Sequence, residues 1–288
     1  MAGAVAGALT MQGRTVVITG ATSGIGEVAA LHLAAAGARI VFVARDPARA
    51  AATLAQLRRA GPGADHAVHR ADLSTIAEMR RVAAELAAAE PRVDVLLNNA
   101  GAVYMGAQRT VDGLAPTFAT NHLAYYVLTL KLLPSLRAAA QGRIVCTASR
   151  AHAYGHMDFE RLQRDGIGGY AQSKLANLLF VRHLAGVLGA GSVTVNALHP
   201  GFVATRFADN CGWAWRTLMR WRKAAHGLSA QQGAQTLIYL ASEPELAGRS
   251  GGYYVRGAPV TPSAGARSDA DAARLWRLSA ALTGVDVP

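Results

Sequence analysis

Strand-like and helix-like patterns of apolar residues alternate along the chain. A β-branched run at residues 14–19 predicts a strand, and the helical pattern after it predicts a helix that ends at Ala36, before Gly37. Six more strands are predicted, at residues 39–43, 66–70, 93–97, 143–147, 193–198 and 252–255. Further helices are predicted at residues 47–60, 74–90, 113–139, 170–188, 229–241 and 268–283. This alternation predicts an α/β fold, with a single doubly wound parallel sheet of about seven strands and helices on both faces.

Two segments fall outside the alternation. Residues 1–13 are small and apolar with no basic residue before Arg14, so we expect a flexible arm rather than a signal peptide, followed by one domain at residues 14–288. Residues 202–228 carry Trp213, Trp215 and Trp221 among arginines and a lysine. This insertion has two interpretations, a lid over a hydrophobic substrate or a contact with a membrane surface, and we favour the lid.

Composition narrows the class of protein. A chain of 288 residues that is 51% hydrophobic can bury a sizeable core. The net charge of +11 could attract nucleic acid, but it is spread along the predicted helices, so we expect no nucleic-acid partner. Two cysteines without metal-ligand spacing fit a reducing compartment, and we expect a cytoplasmic protein. No apolar run approaches the roughly 18 residues of a membrane span, so none is expected.

A glycine-rich turn, TGATSGIG at residues 19–26, joins the first strand to the first helix. Glycines there let the backbone approach a pyrophosphate, which rests on amide donors and on the positive end of the helix dipole. The position between a strand and a helix is the context that such a motif requires. The turn therefore predicts dinucleotide binding by Gly20, Thr22, Ser23, Gly24, Ile25 and Gly26.

The end of the second strand bears on the choice of dinucleotide. An acid there would bind a free ribose 2′-hydroxyl, whereas an arginine accommodates a 2′-phosphate. The chain has Ala44 and Arg45 at this point. The guanidinium is a planar donor that fits a phosphate, so NADP(H) is favoured over NAD(H). Asp46 is explained as the N-cap of the helix that begins at Pro47, although an NAD(H) enzyme stays the alternative.

Tyr170 and Lys174 lie one helical turn apart on the same face of a predicted helix. A free phenol has a pKa near 10, and a nearby ammonium can lower it. By itself the pair is better explained as two solvated side chains on a helix.

The motifs taken in order resemble those of the short-chain dehydrogenases/reductases, from about residue 14 to residue 284. They are the glycine turn, Asp72-Leu73, Asn98-Asn99-Ala100-Gly101, Asn121, Ser149, Tyr170, Lys174 and Pro200-Gly201. Within that superfamily the chain is similar to the branch of retinol dehydrogenases, WW-domain-containing oxidoreductases and protochlorophyllide reductase. The branch markers are Arg109-Thr110, Asp112-Gly113, residues 120–123 (TNHL), residues 173–177 (SKLAN), His199-Pro200-Gly201 and Leu275-Trp276.

The resemblance implies a Rossmann-type sheet and a role for each matched residue. Tyr170 would exchange a proton with the substrate oxygen while the nicotinamide exchanges a hydride with the same carbon. Lys174 would hold the nicotinamide ribose and lower the pKa of Tyr170, Ser149 would hydrogen-bond the substrate oxygen, and Asn121 would support a water-linked proton path. The other implied cofactor contacts are Asp72, Leu73, Asn99, Ala100, Gly101, Pro200, Gly201, Val203 and Thr205.

The chain departs from the family pattern in the glycine turn. Some NADP-using relatives have a basic residue where Ser23 stands here, so Arg45 would act with less help. Tyr104, His152, Trp213 and Trp215 are expected to contact the substrate. His152 and His156 lack a third ligand, so no metal is expected.

The sequence therefore predicts an NADPH-dependent carbonyl reductase, reversible as an alcohol dehydrogenase, for a bulky and largely apolar ketone, aldehyde or secondary alcohol. The alternative is a non-catalytic NADP-binding sensor or partner-binding module. Helices at residues 119–136 and 173–188 have apolar positions to spare, and the family commonly pairs such helices between subunits. We therefore expect a homodimer or a homotetramer.

Overall fold

A computed structural model describes residues 10–160, 164–201 and 228–286 of the chain. Eight strands in these residues form one sheet in the order β3-β2-β1-β4-β5-β6-β7-β8. The strands are β1 Thr15–Thr19, β2 Arg39–Ala44, β3 Ala67–Arg70, β4 Val95–Asn98, β5 Gly142–Thr147, β6 Val193–His199, β7 Tyr253–Val255 and β8 Ala258–Pro259.

The sheet is parallel from β3 to β7, and the predicted doubly wound parallel architecture is confirmed. The eighth strand corrects the expected number of about seven. It pairs antiparallel with β7, with Tyr254 opposite Pro259. Arg256 and Gly257 have φ angles of 52° and 78°, the left-handed conformations that suit a tight two-residue hairpin. Two residues are too few to show an alternating pattern, so the sequence pattern could not predict this edge strand.

Helices flank the sheet. They are α1 Gly24–Ala35, α2 Pro47–Ala60, α3 Ile76–Ala89, α4 Pro116–Phe118, α5 Ala124–Arg137, α6 Gly166–Leu188, α7 Ala230–Ser242 and α8 Asp269–Thr283. A π-helical turn, Ala119–Leu123, joins α4 to α5, so the long helix predicted at residues 113–139 is interrupted. The α6 helix begins earlier than predicted, and Tyr170 lies in its second turn rather than at its first residue.

Polar side chains cap several of these helices. Asp46 accepts a hydrogen bond from the Arg49 backbone N–H at 3.0 Å, with Pro47 in the first helical position, so its predicted role as the N-cap of α2 is confirmed. Ser229 and Gln232 form a capping box at the start of α7, in which each side chain bonds the other residue's backbone N–H. These caps fix where the helices begin.

Apolar residues form one core on each face of the sheet. Along β1, Val17 belongs to the core under α3, α5, α6 and α8, while Val16 and Ile18 belong to the core under α1, α2 and α7. Successive side chains of a strand point to opposite faces, so a parallel strand covered by helices is apolar at every position. The predicted placement of helices on both faces is confirmed.

The last helix, α8, covers α5 and α6. Trp276 stacks on Phe180 of α6 at 5.9 Å and meets Tyr126 of α5 edge-on at 5.1 Å. The Tyr126 hydroxyl donates to Val285 O at 3.0 Å, beyond the end of α8. The buried apolar side chains of α5 and α6 thus pack within the chain, which removes the stated reason for pairing these helices between subunits. The homo-oligomer stays a prediction.

Two predicted segments fall largely outside the described residues. They are the expected arm up to residue 9 and the insertion from residue 202 to residue 227. Met11, within the expected arm, is fully buried, and its backbone N–H donates to Ala36 O at 2.8 Å. In the part of the chain that the structure describes, no helix combines the length and apolarity needed to cross a bilayer.

Candidate active site

A cleft of about 1410 Å³ opens along the carboxyl ends of the parallel strands. This edge is where ligands bind in open α/β sheets. The volume exceeds the roughly 300–1,000 Å³ of most small-molecule sites, so it can accommodate a dinucleotide together with a second molecule. The predicted residues that line it are Gly20, Thr22, Ser23, Gly24, Ile25, Arg45, Asp72, Leu73, Asn99, Ala100, Gly101, Tyr104, Ser149, His152, Tyr170, Lys174, Pro200 and Gly201.

The remaining predicted site residues are placed differently. Gly26 and Asn121 are not among the lining residues; Asn121 is completely buried. Val203, Thr205, Trp213 and Trp215 lie outside the described residues.

The glycine turn between β1 and α1 requires glycine for steric reasons. Gly20 has a φ angle of +73°, and a Cβ there would lie 2.9 Å from the Cα of Ala100. A Cβ on Gly26 would overlap with Gly20 O and with Asn99 Nδ2. The turn is therefore packed directly on the loop after β4. The other side of the turn faces the cleft.

Hydrogen bonds join the glycine turn to that loop. The Thr19 hydroxyl oxygen accepts from the backbone N–H groups of Asn99 and Ala100, each at 3.0 Å. Asn99 Nδ2 donates to Thr19 O at 3.0 Å and to Gly20 O at 3.3 Å, and Thr147 donates to Asn99 Oδ1 at 3.3 Å. The side-chain amide of Asn99 thus stabilises the glycine turn. Thr19 is a site residue that the sequence analysis missed, because the pattern identifies it only as the last residue of a strand.

The junction between β2 and α2 brings exposed cationic groups to the same cleft. Arg45 Nη1 lies 3.8 Å from Asp72 Oδ2, and 65% of the Arg45 side chain is exposed. An exposed pair of this kind contributes only about 0–1 kcal/mol, so the guanidinium can turn to another anion at little cost. Arg49, in the first turn of α2, lines the same cleft and was not predicted. Its position one turn after Arg45 is the signal that could have identified it.

Tyr170 lines the cleft beside Ser149. Burial raises the pKa of Tyr170 to about 12, and a side-chain hydrogen bond with Ser149 opposes that rise. Ser149 caps the 3₁₀ turn Arg150–Tyr154, where its Oγ accepts from the Ala151 backbone N–H at 3.2 Å. At neutral pH Tyr170 is therefore an uncharged phenol that can donate a proton.

Lys174 lies almost fully buried behind Tyr170. Its Nζ donates to Thr147 O at 2.8 Å and lies 5.8 Å from the centre of the Tyr170 ring. Burial lowers the pKa of Lys174 to about 7. The lowering of the Tyr170 pKa by Lys174 stays a prediction; burial acts in the opposite direction and raises that pKa, because it penalises the charged form of both groups.

Asn121, in the π-helical turn, ties the loop after β4 to α6. Its Oδ1 accepts from Ala102 N at 2.8 Å, and its Nδ2 donates to Ala102 O and to Ser173 Oγ, each at 3.0 Å. A Cβ on Gly101 would lie 3.4 Å from Lys174 Nζ and 3.5 Å from Asn121 Oδ1. Gly101 therefore leaves room for the ammonium and the amide to face one another.

The outer part of the cleft is apolar. Met105, Ile167 and Val260 line it with 41%, 51% and 45% of their surface exposed, and Tyr154 is more exposed still. These side chains come from separate loops and from the start of α6, so no local sequence pattern could predict that they lie together. His152, predicted to contact substrate, also lines the cleft but is 4% exposed and engaged in hydrogen bonds within the protein.

Within residues 10–160, 164–201 and 228–286, no group of three His, Cys, Asp or Glu side chains is placed to hold a metal ion. Cys146 is buried in β5, and burial raises the pKa of its thiol to about 12. That thiol is therefore neutral and unreactive at physiological pH.

A glycine turn after the first strand, with Ser149, Tyr170 and Lys174 converging on the same edge of the sheet, defines a Rossmann-type oxidoreductase. The protein-family model for the short chain dehydrogenases matches residues 14–212. The chain belongs to the short-chain dehydrogenase/reductase family.

Individual relatives agree with this assignment. The chain is 38% identical to retinol dehydrogenase 14 of Mus musculus, over 96% of this chain and 87% of that protein. Among solved structures it is similar to an uncharacterized protein from Mycobacterium paratuberculosis, with a TM-score of 0.78, 32% identity and 98% coverage of both chains. It is also similar to RhlG of Pseudomonas aeruginosa in complex with NADP, with a TM-score of 0.70 and 28% identity over 85% of this chain and 95% of that one. The resemblance to retinol dehydrogenases is confirmed.

Proposed function

We propose that the protein is an NADP(H)-dependent carbonyl reductase, reversible as an alcohol dehydrogenase, for bulky and largely apolar ketones, aldehydes or secondary alcohols. The observation that carries this proposal is that Ser149, Tyr170 and Lys174 line one cleft together, with the burial of Tyr170 favouring its uncharged phenol. A neutral donor paired with a hydroxyl is what a carbonyl oxygen needs when it gains a hydride and then a proton.

The lining of the cleft fits a nicotinamide dinucleotide. The glycine turn leaves a cradle for a pyrophosphate, because its amides and the start of α1 face the cleft on the side away from Ala100. Asp72 and Leu73 line the adenine end, and Lys174 lies at the far end beside Tyr170. When bound, the cofactor supplies or accepts the hydride.

The protein's own residues handle the proton. In reduction, Ser149 Oγ donates a hydrogen bond to the substrate oxygen and Tyr170 transfers its proton to that oxygen. Lys174, whose pKa is about 7 and whose Nζ lies 5.8 Å from the centre of the Tyr170 ring, restores the proton of Tyr170 at neutral pH. Asn121 holds the loop and helix that frame this path. In oxidation the same steps run in reverse.

The preference for NADP(H) rests on the β2–α2 junction. Arg45 is exposed at the cleft and Arg49 lines it one turn later, so two guanidinium groups are available for a 2′-phosphate. The carboxylate of Asp46, which would suit a free 2′-hydroxyl, is engaged in capping α2. The complex of RhlG with NADP is consistent with the same choice.

The apolar class of substrate rests on the outer cleft. Met105, Ile167 and Val260 offer apolar surface where a substrate would enter. The name of retinol dehydrogenase 14 indicates that this relative acts on a bulky apolar alcohol. We therefore expect activity to rise along a series of aldehydes as the apolar group grows.

Tyr170→Phe tests the proposal. The variant should bind NADPH as the parent does, while turnover of a panel of ketones and aldehydes falls by at least about 100-fold, because the proton donor is gone. Binding is followed by NADPH fluorescence and turnover by NADPH absorbance. Tyr239→Phe is the matched control, since the Tyr239 hydroxyl bonds Glu245 on the surface of the protein.

Two outcomes would contradict this reading. Undiminished turnover in Tyr170→Phe would remove Tyr170 as the proton donor. A parent protein that binds NADPH but converts no member of the panel, in either direction, would favour the alternative of a non-catalytic NADP-binding sensor.

A further inference from the structure

His152 occupies an unusual place beside the catalytic serine. It lies in the 3₁₀ turn that Ser149 caps, and its side chain is almost fully buried. The imidazole meets the ring of Tyr253 on β7 edge-on, with 5.2 Å between ring centres. It therefore reaches from the Ser149 turn to the β7 strand.

Both ring nitrogens of His152 have hydrogen-bond partners. Nδ1 lies 2.7 Å from Ser149 O, and Nε2 lies 3.2 Å from Ser263 N. A backbone N–H can only donate and a carbonyl oxygen can only accept, so Nε2 is the bare nitrogen and Nδ1 carries the hydrogen. The geometry therefore specifies one neutral tautomer of His152.

The second partner belongs to a wall of the cleft. Residues 260–263 follow the β7–β8 hairpin and line the cleft opposite Ser149. This wall is fixed at its other end by Val260 N, which donates to Tyr253 O at 2.7 Å. His152 thus bridges the backbone of the catalytic serine and the surface against which a substrate would rest.

We propose that His152, as the neutral Nδ1–H imidazole, is a positioning residue that holds Ser149 in register with the wall formed by residues 260–263. The inference rests on the proposed function, since it concerns the serine that would bind the substrate oxygen. A displacement of about 1 Å at such a group can cost roughly 100-fold in rate. The hydrogen bonds of His152, and not its bulk alone, are what keep the site productive.

The hydrogen-bond pattern makes this bridge sensitive to acid. His199, at the end of β6, interacts electrostatically with His152, and the charges of Arg150 and Arg256 act on His199; Tyr253 packs on the His152 ring. Burial lowers the pKa of His152, so the ring is neutral at physiological pH. Protonation would place a second N–H at Nε2, facing the N–H of Ser263, and the bridge would open.

A spectroscopic measurement tests the tautomer without reference to turnover. Long-range proton–nitrogen correlation spectra of the parent protein, with the His152 signals assigned from their loss in His152→Asn, should show a protonated Nδ1 and a bare Nε2 near neutral pH. An Nε2–H tautomer, or a ring that is protonated at pH 7, overturns the inference whatever the activity of the protein.

Kinetics then separate positioning from packing. His152→Phe keeps a ring against Tyr253 but loses both hydrogen bonds, and kcat should fall by about 100-fold with NADPH affinity unchanged. His152→Asn keeps a donor near Ser149 O and loses the reach to Ser263, so it should recover part of the lost kcat. His32→Gln, on the exposed side of α1, is the matched control.

The outcomes are distinct. A His152→Phe variant with parental kcat would reduce His152 to a packing residue and overturn the inference. The activity of the parent should fall at acid pH, and this fall should be absent from the pH profile of the residual activity of His152→Asn. The same fall at acid pH in His152→Asn would contradict the bridge. If the parent itself converts no substrate, the proposed function fails. The tautomer of His152 measured by spectroscopy still tests whether His152 bridges Ser149 and Ser263.

Discussion

Burial acts on Tyr170 and Lys174 in opposite directions. It raises the pKa of Tyr170 to about 12 and lowers the pKa of Lys174 to about 7, since each is disfavoured in its charged form. The phenol is therefore ready to donate a proton at neutral pH, while the ammonium is close to releasing one. At the scale of single residues, these two shifts of pKa suit the proposed reduction near neutral pH.

A difference between the two directions of reaction follows from the raised pKa of Tyr170. Reduction needs the neutral phenol, which persists at every pH below its pKa. It also needs a proton from the Lys174 ammonium, whose fraction falls as the pH rises through about 7, so the rate of reduction should fall from pH 6 to pH 8. Oxidation needs the phenolate, whose fraction grows about tenfold for each pH unit below that pKa. Initial rates of carbonyl reduction and alcohol oxidation, measured from pH 6 to pH 10, check this. An oxidation rate that stays flat across that range would contradict it.

At the scale of an element, the proposed preference for NADP(H) rests on the junction between β2 and α2. Arg45 follows the last residue of the strand, Asp46 caps the helix, and Arg49 comes one turn later on the side of the cleft. The sequence identified Arg45 as a candidate and Asp46 as an N-cap because strand ends and N-caps are local patterns. Arg49 needed the structure, since only the direction of the helix shows which of its arginines face the cleft.

Arg45→Ala should erode the preference for NADPH over NADH. We expect the ratio of kcat/KM for the two cofactors to fall by about 10- to 100-fold, as a charge-assisted hydrogen bond to a phosphate is worth roughly 1.5–3 kcal/mol. Arg58→Ala, at the other end of α2, is the matched control. Equal use of NADPH and NADH by the parent protein would refute the role given to Arg45.

Prediction from sequence worked best where structure is local. All seven predicted strands and the N-cap at Asp46 are present, because alternation and capping are read within a few residues. The link between His152 and Ser263 spans 111 residues, and no local pattern encodes it. The raised pKa of Tyr170 was missed for a related reason: spacing identifies the neighbouring charge, whereas burial depends on the whole fold.

At the scale of the molecule, α8 closes one face of the protein. Trp276 fills the space between Tyr126 and Phe180, and Asp269 at the start of the helix pairs with Arg182 of α6. The exposed ion pair adds little, so the apolar contacts carry most of the attachment. Residues near the end of the chain therefore contribute to the same core as the helix that carries Tyr170.

Trp276→Ala should destabilise the protein by about 3–5 kcal/mol, because it removes a large buried ring from that core. The free energy of unfolding from chemical denaturation measures the loss, with Arg277→Ala on the exposed side of α8 as the control. Sedimentation of both proteins would also test the predicted homodimer or homotetramer. A Trp276→Ala variant as stable as the parent would show that α8 is not part of the cooperative fold.

The π-helical turn Ala119–Leu123 has a consequence for how this site could arise or be lost. A π turn holds one residue more than an α-helical turn, and each added residue rotates the following side chains by about 100°. That rotation aims Asn121 at Ser173 while Tyr125 reaches Ala100 O at 2.8 Å. Deleting one residue would give a more regular helix and a misaligned site. Selection for stability alone would therefore favour the regular helix. If related sequences keep the π-helical turn, this would indicate selection for catalysis.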